Sequence, residues 1–298
     1  SNGFRLLPRY FYMVRALLNF KPPRRNRYVQ LISMHKSGST WVQSYIHKAY
    51  RRFGVTLPPS NLYNEFFTED EWAPDTPIRE NSKTEPATND PFIKRSMKKR
   101  IALVTELRNF GLELAHKAHV PEIISIWPWF KTFYKDHNIL VLKRRHMFTH
   151  WLTILFYNCI KLATGPDVVK GNNKEGYTYI TPSKLENPRA EDIIKSTIQE
   201  YKVEFKFNEI CWNNFVNNIR FLNDVVIEEL DKPQIIWTED ITTEWLEDYF
   251  KVVLKKLPTP FMTFDYKTYY KPEDMKIIRE IFEERFYNEF QYYGYELK

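Results

Sequence analysis

YVQLISMHKSGSTW, residues 28–41, joins a short apolar run to a turn rich in hydroxyl side chains, and a helical pattern follows at once. Backbone N–H groups at a helix N-terminus have no partner inside the helix and attract an anion. Lys36 adds a positive charge, and Gly38 allows close approach of the backbone. Ser39 and Thr40 supply hydroxyl donors. The segment therefore predicts a buried strand, a phosphate-binding turn and a helix start.

The order of residues separates this turn from the Walker A loop, in which a lysine follows the second of two glycines. Here one glycine is present and Lys36 precedes it. In that order the turn resembles the 5′-phosphosulfate loop of the sulfotransferases, Pro-Lys-Ser-Gly-Thr-Thr-Trp. His35 stands at the proline position, and Ser39 replaces a threonine but keeps the hydroxyl. The alternative is an ordinary turn whose hydroxyl residues cap a helix.

The resemblance implies 3′-phosphoadenosine 5′-phosphosulfate (PAPS) as sulfuryl donor, 3′-phosphoadenosine 5′-phosphate (PAP) as product, and no metal. The family often places an aromatic ring after the loop against adenine, and Trp41 holds that position. Burial of the Trp41 ring against the sheet is an equal alternative. The donor-binding residues implied in the loop are Lys36, Ser37, Gly38, Ser39, Thr40 and Trp41.

The family binds the 3′-phosphate with an arginine that ends a later strand and a hydroxyl eight residues on. Residues 139–143, ILVLK, form a mostly apolar run that predicts a buried strand, and Arg144 and Arg145 follow it. Thr153 lies eight residues after Arg145. The resemblance therefore assigns Arg145 and Thr153 to the 3′-phosphate. The sequence does not choose firmly between the two arginines.

Sulfuryl transfer also needs a base for the proton of the acceptor and a cation at the leaving group, for which Lys36 is implied. The family uses either a histidine in a Lys-Thr-His-x-Pro segment or a glutamate on its second strand. Residues 124–128, ISIWP, match the first segment but put Ile126 where the histidine belongs. NEFF, residues 64–67, resembles the Glu-x-Phe-Phe element of glycosaminoglycan-type enzymes in the family, and this resemblance makes Glu65 the predicted base. The alternative is a surface carboxylate in an acidic turn.

Strand-like and helix-like segments alternate and predict a parallel sheet with right-handed crossovers, whose ligands bind at the carboxyl ends of the strands. His116 and His119 lie near the end of an amphipathic stretch and are interpreted as surface residues at a helix C-terminus, with contact to the site as the alternative. The fold class is three-layer α/β/α, with the P-loop-NTPase-like sulfotransferase fold that the resemblance implies. The expected helices are 40–52, 93–118 and 129–135, and the expected later strands are 62–67, 122–126 and 139–143.

The second half of the chain is less regular. Residues 164–188 are rich in Gly, Asn, Lys and Pro and predict a loop or lid over the acceptor site. An amphipathic stretch at 191–230, a strand and turn at 235–240 and a terminal helix within 273–297 follow. We expect a single sulfotransferase-like domain over residues 1–298.

The composition suits one large globular domain: 298 residues, 43% hydrophobic and 16% aromatic. The two cysteines, Cys159 and Cys211, imply no disulfide framework, so we expect a cytoplasmic protein. The sequence opens on Ser1 without a methionine, which leaves open a removed signal or anchor ahead of it. No uncharged apolar run reaches about 18 residues, so no transmembrane segment is expected.

A net charge of +7 suits an anionic donor. We expect a small-molecule or glycan acceptor with a hydroxyl or amine, an acidic one included, and no nucleic acid. The sequence does not indicate the oligomeric state.

Two other classes of protein stay open. A nucleotide kinase or other P-loop phosphotransferase would need a lysine after the glycine and an Asp for Mg²⁺ at a strand end. A non-catalytic module that binds polyanions would bind in a salt-sensitive way without nucleotide selectivity.

Overall fold

The computed structural model describes residues 29–52, 97–109, 117–169, 188–251, 253 and 266–298. In these segments four parallel strands form one sheet with helices packed around it, a mixed α/β architecture. The order of the strands in the sheet is β2-β1-β3-β4. The strands are β1 (Val29–Ser33), β2 (Lys117–His119), β3 (Asn138–Lys143) and β4 (Gln234–Trp237).

Helices precede, join and follow these strands, together with short 3₁₀ turns. The α-helices are α1 (Ser39–Arg52), α2 (Met97–Asn109), α3 (Val120–Ile123), α4 (Trp127–Phe133), α5 (Met147–Val169), α6 (Pro188–Glu200), α7 (Glu209–Arg220), α8 (Thr243–Phe250) and α9 (Pro272–Glu289). A π-helical turn, Phe221–Ile227, extends α7. The 3₁₀ turns are Ile124–Ile126, Thr238–Asp240, Tyr266–Tyr269 and Gln291–Tyr293.

The sheet is covered on both faces, so its central strands, β1 and β3, are buried along almost their whole length. Every residue of β1 is buried, and only the first residue of β3 is exposed. Alternate residues of β3 enter two different apolar clusters, because successive side chains of a strand point to opposite faces. Val141 packs in a cluster with the large aromatic residues of α5, α7 and α9, whereas Leu142 packs with residues of α1 and α8.

Several predicted elements are confirmed with small shifts. The first strand and the helix at 40–52 appear as β1 and α1, and the strand at 139–143 appears as β3. The strand and turn at 235–240 are β4 with the 3₁₀ turn that follows it, and the terminal helix is α9. The strand expected at 62–67 lies outside the described residues.

The predicted helix at 93–118 and the predicted strand at 122–126 are wrong in their bounds or type. Among the described residues helix α2 spans Met97–Asn109, whereas residues 117–119 pair with β1 as a parallel strand, with His119 opposite Ser33. Residues 120–126 are helical instead. Two residues favour a helix start here. Pro121 has no backbone N–H, and N–H groups in a first helical turn have no partner inside the helix. The carboxylate of Glu122 accepts a hydrogen bond from the backbone N–H of His119 and caps the helix.

The prediction of a loop at 164–188 is wrong at both ends, where residues 164–169 and residue 188 are helical. Helix α5 continues to Val169, and Pro188 begins α6. Residues 170–187 lie outside the described residues. The amphipathic stretch at 191–230 is divided, because residues 201–208 separate α6 from α7. Among the described helices, none combines the length and the apolar character needed to cross a membrane.

Lys143, the last residue of β3, ties the sheet to the C-terminal segment. Its Nζ donates to the Oδ1 of Asn223 at 2.7 Å and to the carbonyl of Tyr293 at 3.1 Å. The ammonium also lies 4.5 Å from the ring centroids of Trp237 and Tyr295. Asn223 belongs to the π-helical turn, and its Nδ2 donates to the Tyr295 hydroxyl. Burial lowers the pKa of Lys143 to about 8.

This lowered pKa predicts a specific pH dependence of stability. The pKa of Lys143 is about 8 in the folded protein and near 10.5 ordinarily, so between these values the unfolded chain binds more protons. The free energy of unfolding of the wild type should therefore rise with pH in this window relative to Lys143→Met. From pH 8 to 9.5 the free energy of unfolding of the wild type, measured by urea unfolding, should rise by about 2 kcal/mol relative to that of Lys143→Met. Lys276→Met, at an exposed lysine, is the control and should follow the wild type; parallel curves for Lys143→Met would contradict the prediction.

Candidate functional site

The turn between β1 and α1 has an unusual backbone. Lys36 has φ of +62° and Gly38 has φ of +79°. A positive φ is easily adopted by glycine but is costly for lysine, and such strain is concentrated at functional positions. Successive backbone N–H groups in a turn that includes such left-handed residues can form a nest that binds an anion. The carbonyl of Gly38 accepts the N–H groups of Trp41 and Val42, which starts α1.

Three successive carbonyl groups of this turn are held by side chains from three other elements. His150 on α5 lies 2.7 Å from the first, Arg144 after β3 donates to the second at 3.0 Å, and Thr238 after β4 lies 2.6 Å from the third. With the carbonyls bound on the protein side, the turn keeps its conformation before any ligand arrives. The carbonyl groups belong to His35, Lys36 and Ser37, in that order.

The protonation of His150 follows from its surroundings. Burial and the nearby charge of Arg144 lower the pKa of His150 to about 3, so its ring is neutral. Its Nε2 faces the carbonyl oxygen of His35, which can only accept, so this nitrogen carries the proton. The first contact of the turn therefore persists over the physiological pH range.

Two side chains of the turn suit an anionic ligand. The hydroxyl of Ser37 is fully buried and has no hydrogen-bond partner among the described residues, an arrangement that is costly unless a ligand completes it. The Nζ of Lys36 lies 3.7 Å from the ring centroid of Tyr157 on α5. Burial raises the pKa of Tyr157, so the phenol stays neutral and holds the ammonium through its ring.

The two candidate arginines face different partners. Arg144 reaches the Lys36 carbonyl and lies 3.4 Å from the Thr153 hydroxyl. Arg145 forms a two-pronged ion pair with Asp240. The structure therefore brings Thr153 together with Arg144 beside the turn, while Arg145 is directed to the turn after β4.

Other donors around these arginines are already occupied. The backbone N–H groups at the start of α5 donate to carbonyl groups of the C-terminal segment, from Met147 to Glu296 at 2.9 Å and from Phe148 to Lys298 at 2.8 Å. A second anion beside α5 would therefore rely on side chains. The hydroxyl of Tyr266 lies 2.7 Å from that of Thr153 and adds a polar group there.

Trp41 is half-buried and packs against the apolar cluster shared by α1 and α8. This packing corresponds to the alternative of burial against the sheet, and contact with adenine stays a prediction. Glu65, the predicted base, lies outside the described residues.

A histidine that the sequence interpretation left on the surface lies at the centre of the site. His119 ends β2 and is 3% exposed. Its Nε2 lies 3.1 Å from the Oγ of Ser39 in the first turn of α1, and its Nδ1 lies 3.1 Å from the Oε1 of Glu122. The interpretation of His119 as a helix-terminal surface residue is therefore wrong, because residues 117–119 form a strand beside β1.

The protonation of Glu122 fixes the tautomer of His119. Burial by itself raises the pKa of Glu122, but the charge of His119, hydrogen bonds from its ring and backbone, and the charge of His35 together lower it to about 2. An ionised carboxylate can only accept, so the Nδ1 of His119 carries a proton. In the neutral ring, Nε2 is then the acceptor and faces the Ser39 hydroxyl. A serine, a histidine and a carboxylate thus form a continuous hydrogen-bonded chain at the turn.

The sequence contained a signal for this histidine. Residues 117–121, KAHVP, have the Lys-x-His-x-Pro spacing that was placed at residues 124–128 instead. The helix predicted at residues 93–118 included Lys117 and Ala118, so the motif was not recognised there.

Comparisons of the chain with protein-family models, with curated proteins and with solved structures found no match.

Gly38 provides a test of the geometry of the turn. A Cβ at Gly38 would lie 3.2 Å from the Cγ2 of Thr238, and the positive φ would add backbone strain. Gly38→Ala should lower the free energy of unfolding by about 1–3 kcal/mol in urea titrations. Gly294→Ala is the matched control, because φ is +81° there but the nearest atom is 3.7 Å away. Gly38→Ala should lower the free energy of unfolding more than Gly294→Ala does. Adding Thr238→Ser, which removes Cγ2, should make this difference smaller. Equal losses of unfolding free energy at the two glycines would contradict the prediction.

Proposed function

We propose that this chain is a sulfotransferase that moves a sulfuryl group from PAPS to a hydroxyl or amine, on a P-loop-like sulfotransferase fold. The observation that carries the proposal is the position of His119. The ring of His119 lies beside a turn that can hold an anion, with Nε2 facing the hydroxyl of Ser39 and the carboxylate of Glu122 at Nδ1. Sulfuryl transfer from a nucleotide needs these two parts next to each other.

In this proposal the turn binds the 5′-phosphosulfate. The buried hydroxyl of Ser37 and the hydroxyl of Ser39 donate to its oxygens, and Lys36 moves from the ring of Tyr157 to the bridging oxygen. The cation there offsets the negative charge that develops on the leaving PAP. Thr40 starts the same helix and provides a further hydroxyl.

The acceptor loses its proton to His119. As the Ser39 hydroxyl turns toward the donor, Nε2 becomes available to the acceptor hydroxyl. The acceptor oxygen forms a bond to sulfur, the bond from sulfur to the phosphate oxygen of PAP breaks, and the proton passes to Nε2. Glu122 stabilises the imidazolium that results.

We favour His119 over Glu65 as the base because the described structure gives His119 the contacts that a general base requires. His119 has a proton acceptor at Nε2, a carboxylate at Nδ1 and a position beside the turn. Glu65 stays a prediction from the resemblance alone.

Replacing each candidate base in turn distinguishes them. His119→Asn should lower turnover by about 10²–10⁴-fold, the usual contribution of a general base, with little loss of PAP affinity. Glu65→Gln should leave turnover within a few-fold of the wild type. The measurement is transfer of radiolabelled sulfate from PAPS to a panel of small-molecule and glycan acceptors. A large loss for Glu65→Gln with an active His119→Asn would return the role of base to Glu65.

The first test of the proposed function is calorimetric binding of PAP, compared with ADP and with ATP and Mg²⁺, at one salt concentration. We expect PAP to bind more tightly than ADP and without a metal. Preference for ATP with Mg²⁺ would favour a phosphotransferase, and salt-sensitive binding without nucleotide selectivity would favour a polyanion-binding module. Absence of PAP binding, together with fluorophosphonate labelling of Ser39, would favour a serine hydrolase that uses the Ser39–His119–Glu122 chain.

The same titration separates the two arginines. We propose that Arg144 with Thr153 binds the 3′-phosphate, since both lie beside the turn and Arg145 is paired with Asp240. Arg144→Ala should weaken PAP binding by about tenfold or more, and Arg145→Ala should weaken it less. ADP, which lacks the 3′-phosphate, is the control ligand and should show a smaller effect of Arg144→Ala. A greater loss of PAP affinity for Arg145→Ala would restore the original assignment.

A further inference from the structure

Three side chains with metal-binding atoms converge beside the turn: His35, His119 and Glu122. One ligand atom from each lies within 4.8 Å of the others. The two imidazole rings have centroids 4.0 Å apart and planes inclined by 34°. His119 and Glu122 are three residues apart at the end of β2 and in α3, and the fold brings His35, from the turn after β1, to this pair.

We infer that His35, His119 and Glu122 form a binding site for a divalent transition-metal ion, with Zn²⁺ as the ion best suited to the ligand set. Two imidazoles and one carboxylate are a common zinc set, and they leave a fourth position for water. Imidazole ligands favour zinc, copper and nickel over magnesium and calcium.

The geometry of the pair His119–Glu122 already suits a shared ion. Ligands that lie about 2.0–2.2 Å from a tetrahedral zinc are a little over 3 Å from each other. The Nδ1 of His119 lies 3.1 Å from the Oε1 of Glu122. A metal ion would take the place of the proton that now joins these two atoms, and that proton would move to Nε2, which then donates to the Oγ of Ser39. A ligand atom of His35 lies within 4.8 Å of the other two, and rotation of its side chain would bring it to the ion.

The site is also supported and accessible. Ser39 contacts the Nε2 of His119, which leaves Nδ1 for the metal and holds the ring in place. His119 and Glu122 are buried, so their positions are restricted, whereas His35 is only half-buried and opens the site toward solvent. An ion could therefore enter past His35.

Occupancy of this site would switch off the proposed base. With Zn²⁺ on Nδ1, the ring proton of His119 lies on Nε2, and this nitrogen can no longer take the proton of the acceptor. This consequence, unlike metal binding itself, rests on the proposed sulfotransferase function. We expect Zn²⁺ to inhibit transfer reversibly and EDTA to restore it.

The experiment uses the full chain stripped with EDTA and titrated with Zn²⁺ by calorimetry, without nucleotide. The wild type should show one tight site, and His35→Gln should weaken it by about tenfold or more. The matched control is His146→Gln, since His146 is also half-buried and lies 3.7 Å and 3.9 Å from two carboxylates. This control should retain the tight site. Circular dichroism verifies that each variant is folded, and Glu122→Gln provides a second variant with the same expected loss.

Retention of the tight site in both His35→Gln and Glu122→Gln, or its loss in His146→Gln alone, would overturn the assignment. Absence of a tight site in the wild type would do the same. Because binding is measured without nucleotide, the metal site can hold even if PAP does not bind. Turnover of each variant is also measured with and without Zn²⁺. If Zn²⁺ binds but turnover does not change, the inhibitory role is overturned and the metal site stands.

Discussion

The turn after β1 is held in place by side chains that bind its carbonyl groups, and the rest of the site depends on this restraint. Side chains after β3, on α5 and after β4 each bind one carbonyl, so one short turn is fixed by three elements distant in sequence. This explains how a lysine can adopt a positive φ, since the surrounding contacts over-determine the conformation. The contacts pair His150 with His35, Arg144 with Lys36 and Thr238 with Ser37.

The position of β2 supplies the chemical group that the turn lacks. Parallel pairing with β1 puts His119 opposite Ser33, directly before the turn. Glu122 then reaches back from α3 to both the ring and the backbone of His119. The same carboxylate thus caps a short helix and controls an imidazole, which links local folding to the chemistry of the site.

The C-terminal segment contacts the end of β3 and the start of α5. It binds Lys143 at the end of β3 and occupies backbone donors at the start of α5. Positive charge near the turn is therefore divided between groups with different partners. Lys143 is enclosed by aromatic rings and Arg145 is paired with Asp240, whereas Arg144 and Lys36 stay close to the turn.

The sequence alone determined the elements whose signals are local. The apolar runs of β1 and β3 predicted their strands, and the Lys36–Thr40 turn predicted the start of α1, because burial and helix capping act on neighbouring residues. The tertiary structure alone decided which polar side chains meet. Residues 117–119 have the composition of a helix end, and only pairing with β1 makes them a strand. His119 then meets Ser39, 80 residues away, through a contact that no local pattern encodes.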